Sequence, residues 1–161
     1  MTLYFAYGSN MSRAVMRRHC PAGKAIGTAA LSGYRFIITV DGYASIVPHP
    51  GGIVQGVLWR LAPRDLAALN SYEGLDSGLY VRMTLPVTSA SGRVAAMVYV
   101  ARRQALGRPR PGYLDLVVDA ARDWALPPDY VSSLARWRSG RWRGARAIES
   151  GEVAWVRGSF T

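Results

Sequence analysis

One short turn near the start of the sequence combines groups that could bind an anion: Tyr7-Gly8-Ser9-Asn10. Glycine lets the backbone bend sharply and lets a ligand approach the main chain. Successive N–H groups between a strand and a helix form a concavity that favours carboxylate or phosphate oxygens. Ser9 and Asn10 could add side-chain hydrogen bonds, but Asn10 could equally cap the following helix without any ligand. Taken alone, the turn favours the capped interpretation.

A second stretch, YEGLDSGLY over residues 72–80, holds one of the three glutamates of the chain, Glu73, among aromatic and apolar side chains. A carboxyl group in such surroundings loses hydration, so its pKa rises above about 4.3 and it becomes a better base. The alternative is a solvated glutamate at a helix end. Asp76 is a rival acid, although Asp-Ser-Gly is typical of a turn. A single carboxylate cannot perform paired glycosidase chemistry, but Glu73 could serve as one general base.

The remaining reactive residue types are few. Cys20 is the only cysteine, which excludes an internal disulfide and fits a reducing, cytoplasmic compartment. Together with His19 and His49 it makes a poor metal set, so we expect no metal and no cofactor. His19 and Cys20 are adjacent, and neighbours on a helix do not face each other, so we expect helix-end packing there. His49 lies between two prolines and is expected in a loop near a pocket mouth.

The hydrophobic pattern predicts the elements that position these residues. Predicted strands cover residues 3–6, 24–31, 34–40, 43–47, 53–61, 79–87 and 93–101, and 153–160 could be a strand or a tail. Predicted helices cover residues 11–18, 113–125 and about 127–134, and a further one begins at Pro63 and runs toward residues 72–74. Strands come mostly first and no regular βαβ alternation occurs, which favours an α+β fold, a small mixed β-barrel-like sheet with flanking helices. We expect one domain over residues 1–161 and no membrane span, since no apolar run approaches about 20 residues.

The positive charge of the chain is partly local. The net charge is +10, and RWRSGRWRGAR, from Arg136 to Arg146, contributes five arginines and two tryptophans without an acid. Nucleic acid could bind there, with arginines on phosphates and Trp137 and Trp142 on bases. Alternatively, the arginines edge an active site and attract anionic substrates. We favour a third interpretation, a solvated arginine-rich helix end whose tryptophans pack on the domain.

Four stretches occur in a characteristic order: FAYGSNM, GYASIVPHPGGIVQGVLWRL, LAALNSYEGLDSGLYVR and RVAAMVYVA. In this order they resemble the gamma-glutamylcyclotransferase-like family, including its AIG2-like and BtrG-like branches. The resemblance extends roughly over residues 3–135 and rests on two separate motifs, YGSN and YEGxxxGxY. Residues 136–161 lie outside the recognised pattern.

The resemblance implies a small β-barrel-like sheet with flanking helices and a pocket for a γ-glutamyl group. By this resemblance the loop formed by Tyr7, Gly8, Ser9 and Asn10 holds the glutamyl carboxylate, and Glu73 is the catalytic general acid/base. It also places Tyr80 and Tyr113 in the site. The sequence departs from the family at Asn70, where an aspartate is usual and where the side chain could cap or salt-link the helix.

The chemistry of a γ-glutamyl group fits these parts. Attack of its own α-amine on the γ-carbonyl gives 5-oxoproline and expels the attached amine or peptide, and a carboxylate can carry the proton. The leaving group could be that of glutathione, another γ-glutamyl amino acid, a γ-glutamylamine or a protected metabolite. Residues 43–50 and 108–113 are expected to choose among them. A non-catalytic protein of the same fold that binds a small acidic ligand is the alternative, and either a monomer or a homodimer is compatible with the sequence.

Overall fold

The computed structural model describes residues 1–73 and 77–139. Its strands are β1 (Thr2–Ala6), β2 (Lys24–Ile38), β3 (Ala44–Leu61), β4 (Tyr80–Ser89) and β5 (Gly92–Ala101). Its α-helices are α1 (Arg13–His19), α2 (Pro63–Tyr72), α3 (Tyr113–Asp123) and α4 (Pro128–Ala135), with 3₁₀ turns at Ser9–Met11 and Arg136–Ser139. No helix in this part of the chain is long and apolar enough to cross a membrane.

The five strands close into a barrel in the order β1-β3-β2-β4-β5. Neighbouring strands are antiparallel, except that β5 meets β1 in parallel at the pair Tyr4 and Met97. Closure leaves the sheet without a free edge. The helices flank this barrel, so the predicted α+β, barrel-like fold is confirmed.

The predicted strands at 24–31 and 34–40 form the single strand β2, and those at 43–47 and 53–61 form the single strand β3. The prediction that Pro48 and Pro50 end a strand is therefore wrong. Pairing jumps from Ser32 opposite Ile53 to Tyr34 opposite Pro48, so the extra residues of β3 lie opposite Gly33, whose φ is +83°. Proline is tolerated at such an irregularity because no regular ladder bond is lost there. Residues 153–160 lie outside the described part of the chain.

Ser12, and not Asn10, caps the first helix. The Ser12 hydroxyl accepts a hydrogen bond from the Val15 N–H at 3.3 Å, and α1 begins at Arg13 instead of residue 11. Asn10 lies in the preceding 3₁₀ turn and is buried. The interpretation of Asn10 as a helix cap is thus wrong, and its side chain is available for another role.

The turn at Ser9–Met11 is braced from the other side by α3 and the residues that follow it. The Trp124 indole N–H donates to the Met11 carbonyl at 2.8 Å. The same indole packs edge-to-face on Trp59 of β3 and lies beneath the Arg13 guanidinium, which is 3.6 Å from a ring centroid. Barrel, turn and helix therefore hold one another in place around the YGSN sequence.

Gly56 of β3 provides a test of how β1 is positioned. A Cβ atom there would lie 2.3 Å from the Ala6 carbonyl oxygen and 2.8 Å from the Phe5 ring. Because backbone must move to relieve such overlap, we expect Gly56→Ala to lower the free energy of unfolding by about 1–3 kcal/mol or more. Thr28→Ala, at an exposed position of β2, is the control and should cost less than about 1 kcal/mol. Urea denaturation of both variants measures the difference, and equal costs would contradict the close packing of β1 on β3.

Candidate active site

A cavity of about 220 Å³ opens where the end of β1, the 3₁₀ turn, the start of β3 and the end of α2 meet. Fourteen of the described residues line it, and half of these are tyrosines. The lining comprises Tyr4, Tyr7, Gly8, Ser9, Asn10, Tyr43, Ala44, Tyr72, Glu73, Leu79, Tyr80, Tyr99, Tyr113 and Leu116. All seven residues that the sequence predicts for the site are therefore brought together, while the roles assigned to them stay predictions.

A short hydrogen bond links the two sequence stretches. The Asn10 amide nitrogen donates to Glu73 Oε1 at 2.6 Å and to the Tyr4 hydroxyl at 3.0 Å. Asn10 is only 3% exposed. This bond joins residues 63 positions apart and fixes the glutamate against the turn. Of the YEGLDSGLY stretch, residues 74–76, which include Asp76, lie outside the described residues.

Burial makes Glu73 a stronger base than an ordinary glutamate. Loss of hydration raises its pKa from the usual 4.5 to about 7, and the hydrogen bond from Asn10 opposes part of that rise. Glu73 lies directly after α2, and its backbone N–H bonds to the Leu69 carbonyl, so the position of the carboxyl group is set by the helix end. Near neutral pH the carboxyl can both take up and release a proton.

Two tyrosines hold the start of β3. The Tyr80 hydroxyl donates to the Ala44 carbonyl at 2.7 Å, and the Ala44 N–H donates to the Tyr113 hydroxyl at 3.2 Å. Burial raises the pKa of Tyr113 to about 12 and that of Tyr80 further, so both hydroxyls remain protonated and neutral. A Cβ atom on Gly8 would lie 3.0 Å from the Tyr113 hydroxyl, so the glycine of the turn leaves room for this tyrosine.

The structure adds site residues that the sequence did not indicate. Tyr4 and Tyr99 line the cavity from β1 and β5, with their rings edge-to-face at 5.6 Å. The Tyr99 hydroxyl donates to Asn70 Oδ1 at 2.5 Å, and its carbonyl accepts from the Tyr7 hydroxyl at 2.5 Å. Asn70 therefore holds a tyrosine of the site, a role different from the expected cap or salt link. The sequence did hold one signal for Tyr4 and Tyr99, because a tyrosine in a buried strand needs a hydrogen-bond partner for its hydroxyl.

The other candidates lie outside this constellation. The His19 ring packs on the Tyr72 ring with centroids 3.9 Å apart, and the Cys20 thiol donates to the Asp65 carbonyl at 3.6 Å. Burial raises the pKa of Cys20 to about 11, so the thiol is inert near neutral pH. His49 is exposed on β3, contrary to the expectation of a loop, and it does not line the cavity. Within residues 1–73 and 77–139, no cluster of His, Cys, Asp and Glu could hold a metal ion.

The described part of the basic segment packs on the domain. Trp137 is buried and lies edge-to-face with Phe36 at 6.3 Å, and Arg138 pairs with Asp115 of α3. This agrees with the packed interpretation for residues 136–139. Trp142 and the remaining arginines lie outside the described residues.

Replacing Glu73 by glutamine tests its raised pKa through stability. Because the folded state binds the Glu73 proton more tightly than the unfolded state, its contribution to stability is full below about pH 4.5 and is lost as pH rises through 7. We therefore expect Glu73→Gln to be more stable than the parent at pH 8, by up to about 3 kcal/mol, and equal to it near pH 4. Thermal unfolding across this range measures the difference. Asp123→Asn, an exposed carboxyl at the end of α3, is the control, and a Glu73→Gln effect independent of pH would contradict the raised pKa.

Comparison with known proteins shows which family this chain resembles. The model of the AIG2-like family matches residues 53–134, about half of the chain. Gamma-glutamylcyclotransferase of Mus musculus is 25% identical over 162 residues, covering 94% of this chain and 86% of the relative. The Homo sapiens protein of the same name is 27% identical over 143 residues, covering 82% and 76%.

The fold leads to the same family. A solved structure of a gamma-glutamyl cyclotransferase superposes with a TM-score of 0.78 at 26% identity, covering 83% of this chain and 86% of that one. YkqA from Bacillus subtilis superposes with a TM-score of 0.73 at 26% identity, covering 84% of this chain and 53% of that one. The resemblance found in the sequence is confirmed, and the chain belongs to the AIG2-like family.

Proposed function

We propose that this protein is a gamma-glutamyl cyclotransferase-type enzyme that releases 5-oxoproline from a γ-glutamyl amine or peptide. The observation that carries the proposal is the 2.6 Å hydrogen bond between Asn10 and Glu73, which joins the YGSN turn and a buried carboxyl in one cavity. The proposal is supported by the names of the similar proteins and by the large share of this chain over which they match.

The proposed reaction exchanges one C–N bond for another and moves two protons off the α-nitrogen. The α-amine nitrogen attacks the γ-carbonyl carbon and closes a five-membered lactam, while the bond from that carbon to the leaving nitrogen breaks. Glu73 takes one proton from the α-ammonium and delivers it to the leaving nitrogen. A second proton leaves the ring nitrogen as the lactam forms and follows the same route, so the leaving amine departs as an ammonium. The balance requires no further reactant.

The raised pKa of Glu73 suits this transfer. An α-ammonium titrates near about 8, so moving its proton to a carboxylate of pKa about 7 costs about 1.4 kcal/mol. Transfer to an ordinary glutamate of pKa about 4.3 would cost about 5 kcal/mol. The carboxylate of pKa about 7 therefore gives a population of neutral, reactive amine several hundred times larger than an ordinary glutamate would. Glu73 is then weak enough as a base to return the proton to the leaving group.

Neutral donors hold the substrate in this proposal. Among the described residues that line the cavity there is no arginine or lysine, so a glutamyl carboxylate must be held by N–H groups of the turn and by hydroxyls. The hydroxyls of Tyr80 and Tyr113 stay protonated over the working pH range. Fixing the glutamyl chain in its curled form can lower the activation barrier by several kcal/mol, up to about 7.

The cavity has the size of one end of the substrate. At about 220 Å³ it is smaller than the roughly 300–1,000 Å³ common for drug-sized ligands. Tyr72 and Leu116 line it and are 50% and 37% exposed, so they form its mouth. The glutamyl half therefore fits inside, and the leaving group contacts the mouth. We expect these two side chains, with Tyr43, to influence the choice of leaving group.

Turnover of a panel of γ-glutamyl amino acids, peptides and amines, followed as 5-oxoproline release, tests the proposal. We expect Glu73→Gln to lower kcat by at least about 100-fold, because glutamine keeps the shape but cannot carry the proton. Asp123→Asn is the control with parent-like activity. Failure of the parent to turn over any member of the panel would favour the alternative, a binding protein of the same fold.

The pH dependence of kcat/KM provides a second test. Because Glu73 must be ionised to accept a proton and its pKa is raised by burial, activity should rise with pH through about 7. A base with an ordinary carboxyl pKa would place this limb near pH 4.5 instead. Initial rates between pH 4 and 9 locate the limb, and a flat profile from pH 5 upward would exclude Glu73 as the base.

A further inference from the structure

One polar atom of the site has no hydrogen-bond partner among the described residues. Asn10 lines the cavity, and both hydrogens of its amide nitrogen are used, on Glu73 and on Tyr4. Its amide oxygen, Oδ1, is buried and accepts no hydrogen bond from the described residues. A buried acceptor without a donor is costly, so such an atom in a native protein calls for an explanation, and a bound group is one.

The orientation of this oxygen follows from the chemistry of its neighbour. An ionised carboxylate only accepts hydrogen bonds, so Asn10 must turn its NH₂ group towards Glu73. The amide oxygen shares a carbon atom with that nitrogen. It is therefore close to the Glu73 carboxylate, and both residues line the same cavity.

We infer that Asn10 Oδ1 and the Glu73 carboxylate together bind the primary α-ammonium of the γ-glutamyl group. This assigns the Asn10 side chain to the amine, whereas the loop as a whole was expected to hold the carboxylate. The inference rests on the proposed function. Its consequence is selectivity: a γ-glutamyl compound without a free α-amine leaves Oδ1 unpaired and binds poorly.

An amide has an advantage over a second carboxylate at this position. After Glu73 has taken one proton, the neutral amine must turn its lone pair towards the γ-carbonyl. A neutral acceptor can hold one N–H during that rotation. A carboxylate would stabilise the ammonium form, raise the pKa of the amine and hinder proton loss. Asn10 thus binds the amine without opposing its activation.

Two ligands that differ only in the α-amine test the inference by binding. L-Glutamine carries the γ-glutamyl group with the smallest leaving group, and glutaramate is the same molecule without the amine. By calorimetry at pH 8, where Glu73 is ionised, the parent should bind glutamine at least tenfold more tightly than glutaramate. Asn10→Ala should reduce this ratio by about tenfold, the value of one hydrogen bond to a charged group.

Two further variants separate this role from general support of the pocket. Asn10→Asp keeps an acceptor oxygen, and because two carboxyl groups in contact share one proton, that proton can replace the amide donor to Glu73. The variant should therefore keep the preference for glutamine while lowering 5-oxoproline release from γ-glutamyl compounds. Asn70→Ala, the matched control, removes the partner of the Tyr99 hydroxyl and should weaken both ligands alike. If Asn10→Ala does not fold, Asn10→Asp decides, and loss of the preference in that variant contradicts the inference.

The outcomes distinguish this inference from the proposed function. A parent that binds neither ligand, or an unchanged ratio in Asn10→Ala, overturns the role of Asn10 even if γ-glutamyl compounds are turned over. A ratio that depends on Asn10 in a protein without turnover supports amine recognition and contradicts only the proposed reaction.

Discussion

The hydrogen bond from Asn10 to Glu73 sets the geometry on which the rest of the site depends. It ties a turn that follows the first strand to the end of α2, and its donor is held in turn by the Tyr4 hydroxyl inside the barrel. The bond also opposes the rise in the pKa of Glu73 that burial causes. One side chain therefore acts on both the position and the basicity of the carboxyl group. Burial prevails over the hydrogen bond, which leaves the carboxyl near neutrality.

Tyrosine gives this cavity two properties at once. Its ring excludes water, which keeps Glu73 poorly hydrated, and its hydroxyl supplies a neutral hydrogen-bonding group. A lysine or arginine in the same positions would hold an anion more strongly, but its charge would lower the pKa of the carboxyl. A wall of tyrosines therefore supplies hydrogen-bonding hydroxyls without adding a positive charge beside the carboxyl group.

The sequence predicted the residues whose chemistry is local and missed those whose role arises from pairing across the barrel. YGSN and Glu73 could be found because glycine, amide and carboxyl types are informative where they stand. Tyr4 and Tyr99 resemble core residues of strands, and only the fold places Tyr99 against Asn70, 29 residues away along the chain. Asn10 was ambiguous between cap and site residue until Ser12 proved to be the cap. Pro48 and Pro50 misled because strand register between β2 and β3 outweighed local turn chemistry.

The seam of the barrel has a dynamic consequence. Whereas β2 and β3 pair along most of their length, β5 meets β1 in register at Tyr4 and Met97 alone. Strand junctions with few backbone bonds open at low free energy, so amide hydrogens here should exchange before those of the β2–β3 ribbon. Tyr4 belongs both to this junction and to the cavity wall. Local opening of the seam would thus release the support of Asn10, so a sparsely paired junction of the barrel is also a part on which the pocket rests.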